Sequence, residues 1–186
     1  MTQKHIMIKP LISAKKITKR VKILSEQITK EYKDKDLIVL IVMDGGKVFG
    51  KDLCSKLRCN FIVSEIKISS YAGQKSTGRV VLESDIQLLD EIVRGRYVLI
   101  VDDILDTGLS IEWLLAHIEK KQPKHIATCC LLDKSKSNIK LDYCGFVIPD
   151  VFVVGYGMNY KDKHRELPYI EKKTWKVRRE QKSEKQ

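Results

Sequence analysis

The residues best suited to chemistry lie between Val98 and Ser110, in the run Val-Leu-Ile-Val-Asp-Asp-Ile-Leu-Asp-Thr-Gly-Leu-Ser. Its apolar start predicts a buried strand ending in Asp102 and Asp103, followed by a small turn that enters a helix. A helix N-terminus offers free N–H groups and a partial positive charge, so it holds anions. Thr107, Gly108 and Ser110 keep that backbone accessible and add two hydroxyl donors, which suits a phosphate monoester. Asp102 and Asp103 would repel the phosphate at close range. They are better used as acceptors for the two hydroxyls of a ribose nearby. An Asp-Asp pair alone could simply begin a loop; the whole pattern, apolar run then D-D-x-x-x-T-G-x-S, is far more specific. Other phosphate motifs fit poorly. Gly46-Lys47 lacks the earlier glycine of a P-loop, and no G-x-G-x-x-G follows a strand.

These residues need a frame. After Ser13, a candidate N-cap, Ile17, Val21, Leu24, Ile28 and Tyr32 recur at helical spacing. Leu37 to Met43 predicts a strand, followed by the turn Asp44-Gly45-Gly46 and a helix turning Val48, Phe49, Leu53 and Leu57 inward. Phe61 to Ile68 predicts another strand, and residues 69 to 79, rich in Ser, Gly, Lys and Thr, a long loop. Tyr97 to Val101 and Ile126 to Leu132 are apolar strands, with a helix marked by Ile111, Leu114, Leu115 and Ile118 between them. Short β segments follow at Phe146 to Ile148 and Val151 to Val154. Apolar strands alternating with amphipathic helices predict an α/β chain with a parallel sheet covered on both faces. Sites in such sheets lie beyond the C-terminal strand ends. Four chemically loaded segments fall there: Asp44-Gly45-Gly46, Asp102 to Ser110, Asp133-Lys134, and the chain after Val154.

Composition narrows the classes. With 186 residues, 43% hydrophobic and 32% charged, the sequence reads as one soluble domain. Its apolar runs are far short of the roughly 20 residues of a membrane helix. Lys4, Lys9, Lys15 and Lys16 break up any signal segment, so a cytoplasmic protein with no membrane partner is expected. The five cysteines form no C-x-x-C and no zinc pattern, and read as small buried hydrophobes. Net charge is +11, and residues 172–186 alone hold seven Lys or Arg against two Glu. That balance suits an anionic ligand. No nucleic-acid motif accompanies it, so no specific nucleic acid is expected, and the tail reads as solvated and disordered.

The segment from Val98 to Ser110 resembles the phosphoribosyl pyrophosphate signature of the type I phosphoribosyltransferases. The likeness extends, over nearly all of residues 11 to 171, to their hypoxanthine-guanine branch. Leu131 to Lys134 is similar to that branch's base-recognition strand end, and Tyr143 to Gly157 to its most diagnostic segment. Arg165 to Ile170 matches the stretch after it, and Ser70-Tyr71 stands where a mobile loop begins.

The resemblance implies the type I phosphoribosyltransferase fold, a central parallel sheet flanked by helices with a small hood from the terminal segments. One domain would span 1–171, with 172–186 a basic tail. It implies transfer of a 5-phosphoribosyl group to hypoxanthine or guanine with Mg2+, by a homodimer or homotetramer. Asp102 and Asp103 would hold the ribose hydroxyls directly or through the metal, and Asp106 would accept the proton at purine N7. Thr107, Gly108, Leu109 and Ser110 would cradle the 5-phosphate. Lys134 would donate to the 6-oxygen, Phe152 stack on the base, and the Val153 backbone meet its edge. Arg165 and Asp44-Gly45-Gly46 would contact pyrophosphate, and Ser70-Tyr71 would close over the site.

Taken alone, Phe152 reads as a core aromatic, Lys134 as a turn lysine and Arg165 as a surface charge. Two positions depart from the family pattern. Asp44 stands where a Lys or Arg is usual, beside a turn with a non-proline cis peptide. Asn159 stands where an acid is usual, near the base and a metal. A relative acting on xanthine or another purine, and a non-catalytic sensor of phosphoribosyl pyrophosphate, are the alternatives. Asp106 and Arg165 argue against the sensor.

Overall fold

The computed structural model describes residues 10–70, 80–82, 86–160 and 163–173. Its elements are α1 (Ala14–Tyr32), β1 (Leu37–Met43), α2 (Gly46–Cys54), β2 (Phe61–Ser70), β3 (Val80–Leu82) and α3 (Ile86–Val93). They continue as β4 (Tyr97–Leu105), α4 (Leu109–Glu119), β5 (His125–Asp133), β6 (Tyr143–Val147), β7 (Val153–Val154) and β8 (Glu171–Lys172).

An all-apolar strand has no face to turn to water and belongs inside a covered sheet. β1 lies in that position, buried from Leu37 to Val42, in a sheet ordered β3-β2-β1-β4-β5-β6. Five of these strands are parallel, and β3 runs antiparallel to β2. Successive side chains point to opposite faces. Val39 and Ile41 therefore join Leu99 and Val101 in a core with Leu24 and Ile28 of α1 and Phe49 and Leu53 of α2. Ile38 and Leu40 join Val98 and Ile100 in a second core with Leu89, Val93, Leu114 and Ile118 of α3 and α4. The five residues that mark the α1 stripe are all buried. Truncating the fully buried Leu24 to alanine would cost about 2–5 kcal/mol.

Several boundaries differ from the sequence reading. β4 does not end at Val101 but pairs with β5 as far as Leu105 and Asp133. Ser69 and Ser70, read from sequence as the start of a loop, instead continue β2 and pair with Val81 and Val80; the rest of that predicted loop, residues 71–79, lies outside the described residues. Helix α3 carries no expectation from sequence. β6 starts at Tyr143, and β7 is only Val153–Val154. Leu57 is buried beyond the end of α2, and Ser13 occupies the N-cap of α1 without a side-chain capping bond. The five cysteines are free, and burial pushes the Cys54 thiol up to about 11.

The terminal segments meet above the sheet as the hood. Ile12 and Ile170 exchange backbone hydrogen bonds of 3.1 and 2.9 Å, and β7 pairs with β8. Between them Tyr156 donates to Asp52 of α2 at 2.5 Å, tying the hood to the body. The boundary after residue 171 falls inside β8, and Lys173 N–H donates to Phe152 O at 2.9 Å.

Candidate active site

The C-terminal strand ends and the hood enclose a cleft of about 590 Å³. Asp44 and Gly45 reach it from the end of β1, and Asp103 and Asp106 from β4 and its following loop. Lys134 comes from the end of β5, and Phe152, Val153, Asn159 and Arg165 from the hood. Nine of the site residues read from sequence thus line one wall-to-wall cleft. Asp102, Thr107, Gly108, Leu109 and Ser110 line a smaller cavity of about 110 Å³, which shares Ile104 and Asp106 with the cleft. Asp106 therefore stands where the two meet. Gly46 lies behind the turn and is buried. Ser70 ends β2, whereas Tyr71 is outside the described residues.

Close backbone approach shapes both halves. A Cβ on Gly45 would fall 2.0 Å from Asp103 Oδ2, so the β1–α2 turn can rest on the carboxylate only as glycine. The peptide before that turn, Met43–Asp44, is cis. Gly108 is the N-cap of α4 with φ of 86°, and a Cβ there would lie 2.2 Å from Ser137 Oγ. The first N–H groups of α4 open onto the smaller cavity, where they can receive an anion.

Charge is handled in two ways. Asp102 is 9% exposed and accepts the Asp103 N–H at 2.8 Å. Burial, then the adjacent Asp103 charge, pushes its carboxyl well above the ordinary range. Burial also raises Asp103, although hydrogen bonds and Arg165 oppose the rise. Asp106 goes the other way. Partial burial pushes it up, but the hydrogen bond from Lys134 and then the neighbouring Lys136 ammonium outweigh that and hold it below the usual value. Lys134 Nζ donates to Asp106 Oδ2 at 2.5 Å, and Arg165 Nη1 donates to Gly157 O at 3.0 Å.

Across residues 10–161 the sequence matches the phosphoribosyl transferase domain family. The chain belongs to the phosphoribosyltransferase family. It is 42% identical to a hypoxanthine phosphoribosyltransferase of Buchnera aphidicola, with 91% of this chain and 97% of that one covered. It is 39% identical to a hypoxanthine-guanine phosphoribosyltransferase of Bacillus subtilis, covering 90% and 93%. A crystal structure of a hypoxanthine-guanine phosphoribosyltransferase from Bacillus anthracis superposes with a TM-score of 0.80 at 35% identity, covering 90% and 99%.

This phosphoribosyltransferase has site residues that sequence reasoning missed. Lys67 lines the cleft because it is the register partner of Met43 on the neighbouring strand, a parallel pairing that sequence alone does not disclose. Lys136 and Asp150 join Lys134 and Asp106 in an ion-pair cluster. Asp150 was within reach, since it stands in the Ile-Pro-Asp run of the diagnostic segment. Among the described residues, no three His, Cys, Asp or Glu side chains converge as a metal cage.

Proposed function

We propose that this phosphoribosyltransferase serves purine salvage, transferring the 5-phosphoribosyl group of phosphoribosyl pyrophosphate to hypoxanthine or guanine and releasing IMP or GMP and pyrophosphate. One observation carries the choice of base: an ammonium and a carboxylate, Lys134 and Asp106, lie 2.5 Å apart on the cleft wall near the exposed ring of Phe152. A 6-oxopurine offers an acceptor at O6 next to a donor at N7–H, and this pair answers both. A 6-aminopurine would present a donor to a donor. The names of the Buchnera and Bacillus subtilis relatives point to the same substrates. A Tritrichomonas foetus relative, 35% identical, is named for xanthine as well, which keeps xanthine among the bases to test.

The chemistry follows from what must be stabilised. Breaking the bond to pyrophosphate leaves cationic character on the anomeric carbon, as in glycoside chemistry. Purine N9 forms the new bond to that carbon while Asp106 takes the proton from N7. Its depressed carboxyl keeps it ionised and ready at neutral pH. Phe152 stacks on the base, and the Val153 backbone meets its edge. Thr107, Gly108, Leu109 and Ser110 hold the 5-phosphate at the start of α4. Asp44, Gly45, Gly46 and Arg165 border the pyrophosphate. Ser70 and Tyr71 close over the site and exclude water.

The donors fit magnesium. Asp102, buried, and Asp103, half-buried, are adjoining carboxylates, hard oxygen ligands of the kind that share this ion with substrate phosphates. They would hold it, with Asn159 supplying a neutral amide oxygen. Bound there, the ion offsets charge on the departing pyrophosphate.

The protein acts in the cytoplasm as a homodimer or homotetramer. The test follows product formation with phosphoribosyl pyrophosphate, magnesium, and each of hypoxanthine, guanine, xanthine and adenine. Hypoxanthine or guanine should react and adenine should not. Preference for adenine would overturn the assignment.

A further inference from the structure

Asp106 does not face Lys134 alone. Lys134 Nζ lies 2.5 Å from Asp106 Oδ2 and 3.5 Å from Asp150 Oδ1. Lys136 Nζ lies 3.0 Å from Asp106 Oδ1 and 3.1 Å from Asp150 Oδ2. The four groups close a ring in which each carboxylate meets both ammoniums. The two lysines differ in setting, however. Lys134 is 8% exposed and lines the cleft, whereas Lys136 is 40% exposed and stands on the loop behind it. That loop is held in place: Ser135 N–H donates to Asp133 Oδ1 at 2.6 Å, and Ser137 packs on Gly108.

The two oxygens of Asp106 are not equivalent either. Oδ1 is enclosed and has no well-formed hydrogen bond; what it meets is the Lys136 ammonium, at ion-pair distance. The oxygen left to take a proton from a base in the cleft is Oδ2, which Lys134 occupies. For Oδ2 to work, Lys134 must swing from it toward the purine 6-oxygen. Asp106 would then lose its strongest partner at the moment it has to be an anion.

We propose that Lys136 is the positioning residue of the general base, keeping hold of Asp106 Oδ1 when Lys134 transfers to the purine. This role rests on the reaction proposed above. Asp150 is its counterweight, sharing both ammoniums and leaving neither lysine wholly committed to Asp106. The charged groups around Asp106 are Lys134 at the end of β5, Lys136 on the loop after it and Asp150 after β6. Among the described residues, Asp44 from the turn after β1, Lys67 from β2, Asp103 from β4 and Arg165 from the hood line the same cleft.

The test is the pH dependence of single-turnover transfer to hypoxanthine, with both substrates saturating, beside that of kcat/KM. The proteins are the wild type, Lys136→Met, Lys136→Arg and Asp150→Asn. In the complex, where Lys134 is engaged by the base, Lys136→Met should move the acid limb up by about one pH unit. In kcat/KM, which reports the free protein with Lys134 still on Asp106, the shift should be smaller. Lys136→Arg should restore the wild-type limb, and Asp150→Asn should move it down. General damage to the fold would not move one limb in opposite directions in two variants. Should Lys136→Met fail to fold, Lys136→Gln removes the same charge with a polar end and should move the acid limb in the same direction. Superimposable profiles in an active wild type and its variants would overturn the role of Lys136. A wild type that transfers to no 6-oxopurine would overturn the reaction itself, and this role with it.

Discussion

At one end of the cleft, Lys134 and Lys136 alternate with Asp106 and Asp150, and every charge meets its opposite within 3.5 Å. Toward the other side, Asp44 and Asp103 line the cleft with Arg165 and Lys67, Asp102 lies beside Asp103 in the adjoining smaller cavity, and burial pushes the carboxyls of Asp102 and Asp103 upward. The ligands proposed for these ends differ in the same sense. A purine base is neutral, so the end that receives it has to be balanced beforehand. Phosphoribosyl pyrophosphate is a polyanion bearing a diol, so its end is completed by what the ligand and its cation bring. The lesson is that one site can be preorganised at one end and left electrostatically strained at the other.

The largest break in this comparison should come from Asp106→Asn. Asparagine keeps the shape but takes no proton at neutral pH, so turnover should fall about 10²–10⁴-fold. Binding of the nucleotide product should persist, and unchanged turnover would remove Asp106 from the chemistry. Lys134→Gln comes next. The amide can present a donor or an acceptor, so kcat/KM for the preferred base should fall about 10- to 100-fold, the size of a lost charge-assisted hydrogen bond. The ratio of guanine to adenine activity should fall too; a constant ratio means that Lys134 does not read the 6-oxygen.

Asp44→Lys sharpens the other end. Asp44 is exposed, so solvent screens it, and the Michaelis constant for phosphoribosyl pyrophosphate should fall roughly fivefold. The effect should be largest at low magnesium, and identical curves across a magnesium series would mean that Asp44 faces away from the ligand. The smallest effect is one of stability. A carboxyl raised on folding loses stability as pH rises from its unfolded value toward its folded one, and above that the penalty is complete. Asp102→Asn has no charge to bury, so the ligand-free Tm should rise by about 2–4 °C at neutral pH. That gain should vanish as pH approaches the ordinary carboxyl value of 3.8, and a gain that ignores pH would assign it to packing instead.

Much of the fold was legible because burial leaves a periodic trace. The α1 stripe is of this kind, and the unbroken apolar runs of β1 and of Tyr97 to Val101 report strands covered on both faces. The misses have physical causes. Asp102 and Asp103 look like the end of a strand, yet β4 continues through them because β5 supplies backbone partners up to Asp133. Ser69 and Ser70 look like a loop, yet they pair with β3. Phe152 reads as core among valines and is 43% exposed, while Lys134 reads as an open turn residue and its side chain is 8% exposed. Composition around a residue reports the neighbourhood of the chain, and these two are governed by the neighbourhood of the fold. The same holds for Lys136 and Asp150, which only the sheet brings together.

The bridge between Ile12 and Ile170 bears on the order of assembly. It joins Ile12 to a residue that lies beyond every strand of the main sheet, so on a ribosome it waits until Ile170 has emerged, after those strands are already out. Closing so large a loop gives little return per residue ordered, which makes this contact late to form and early to open. The segment it fastens carries Asn159 and Arg165. A nascent chain can thus own a finished sheet and still lack a competent cleft, and a mature one can loosen the hood without surrendering the sheet beneath it.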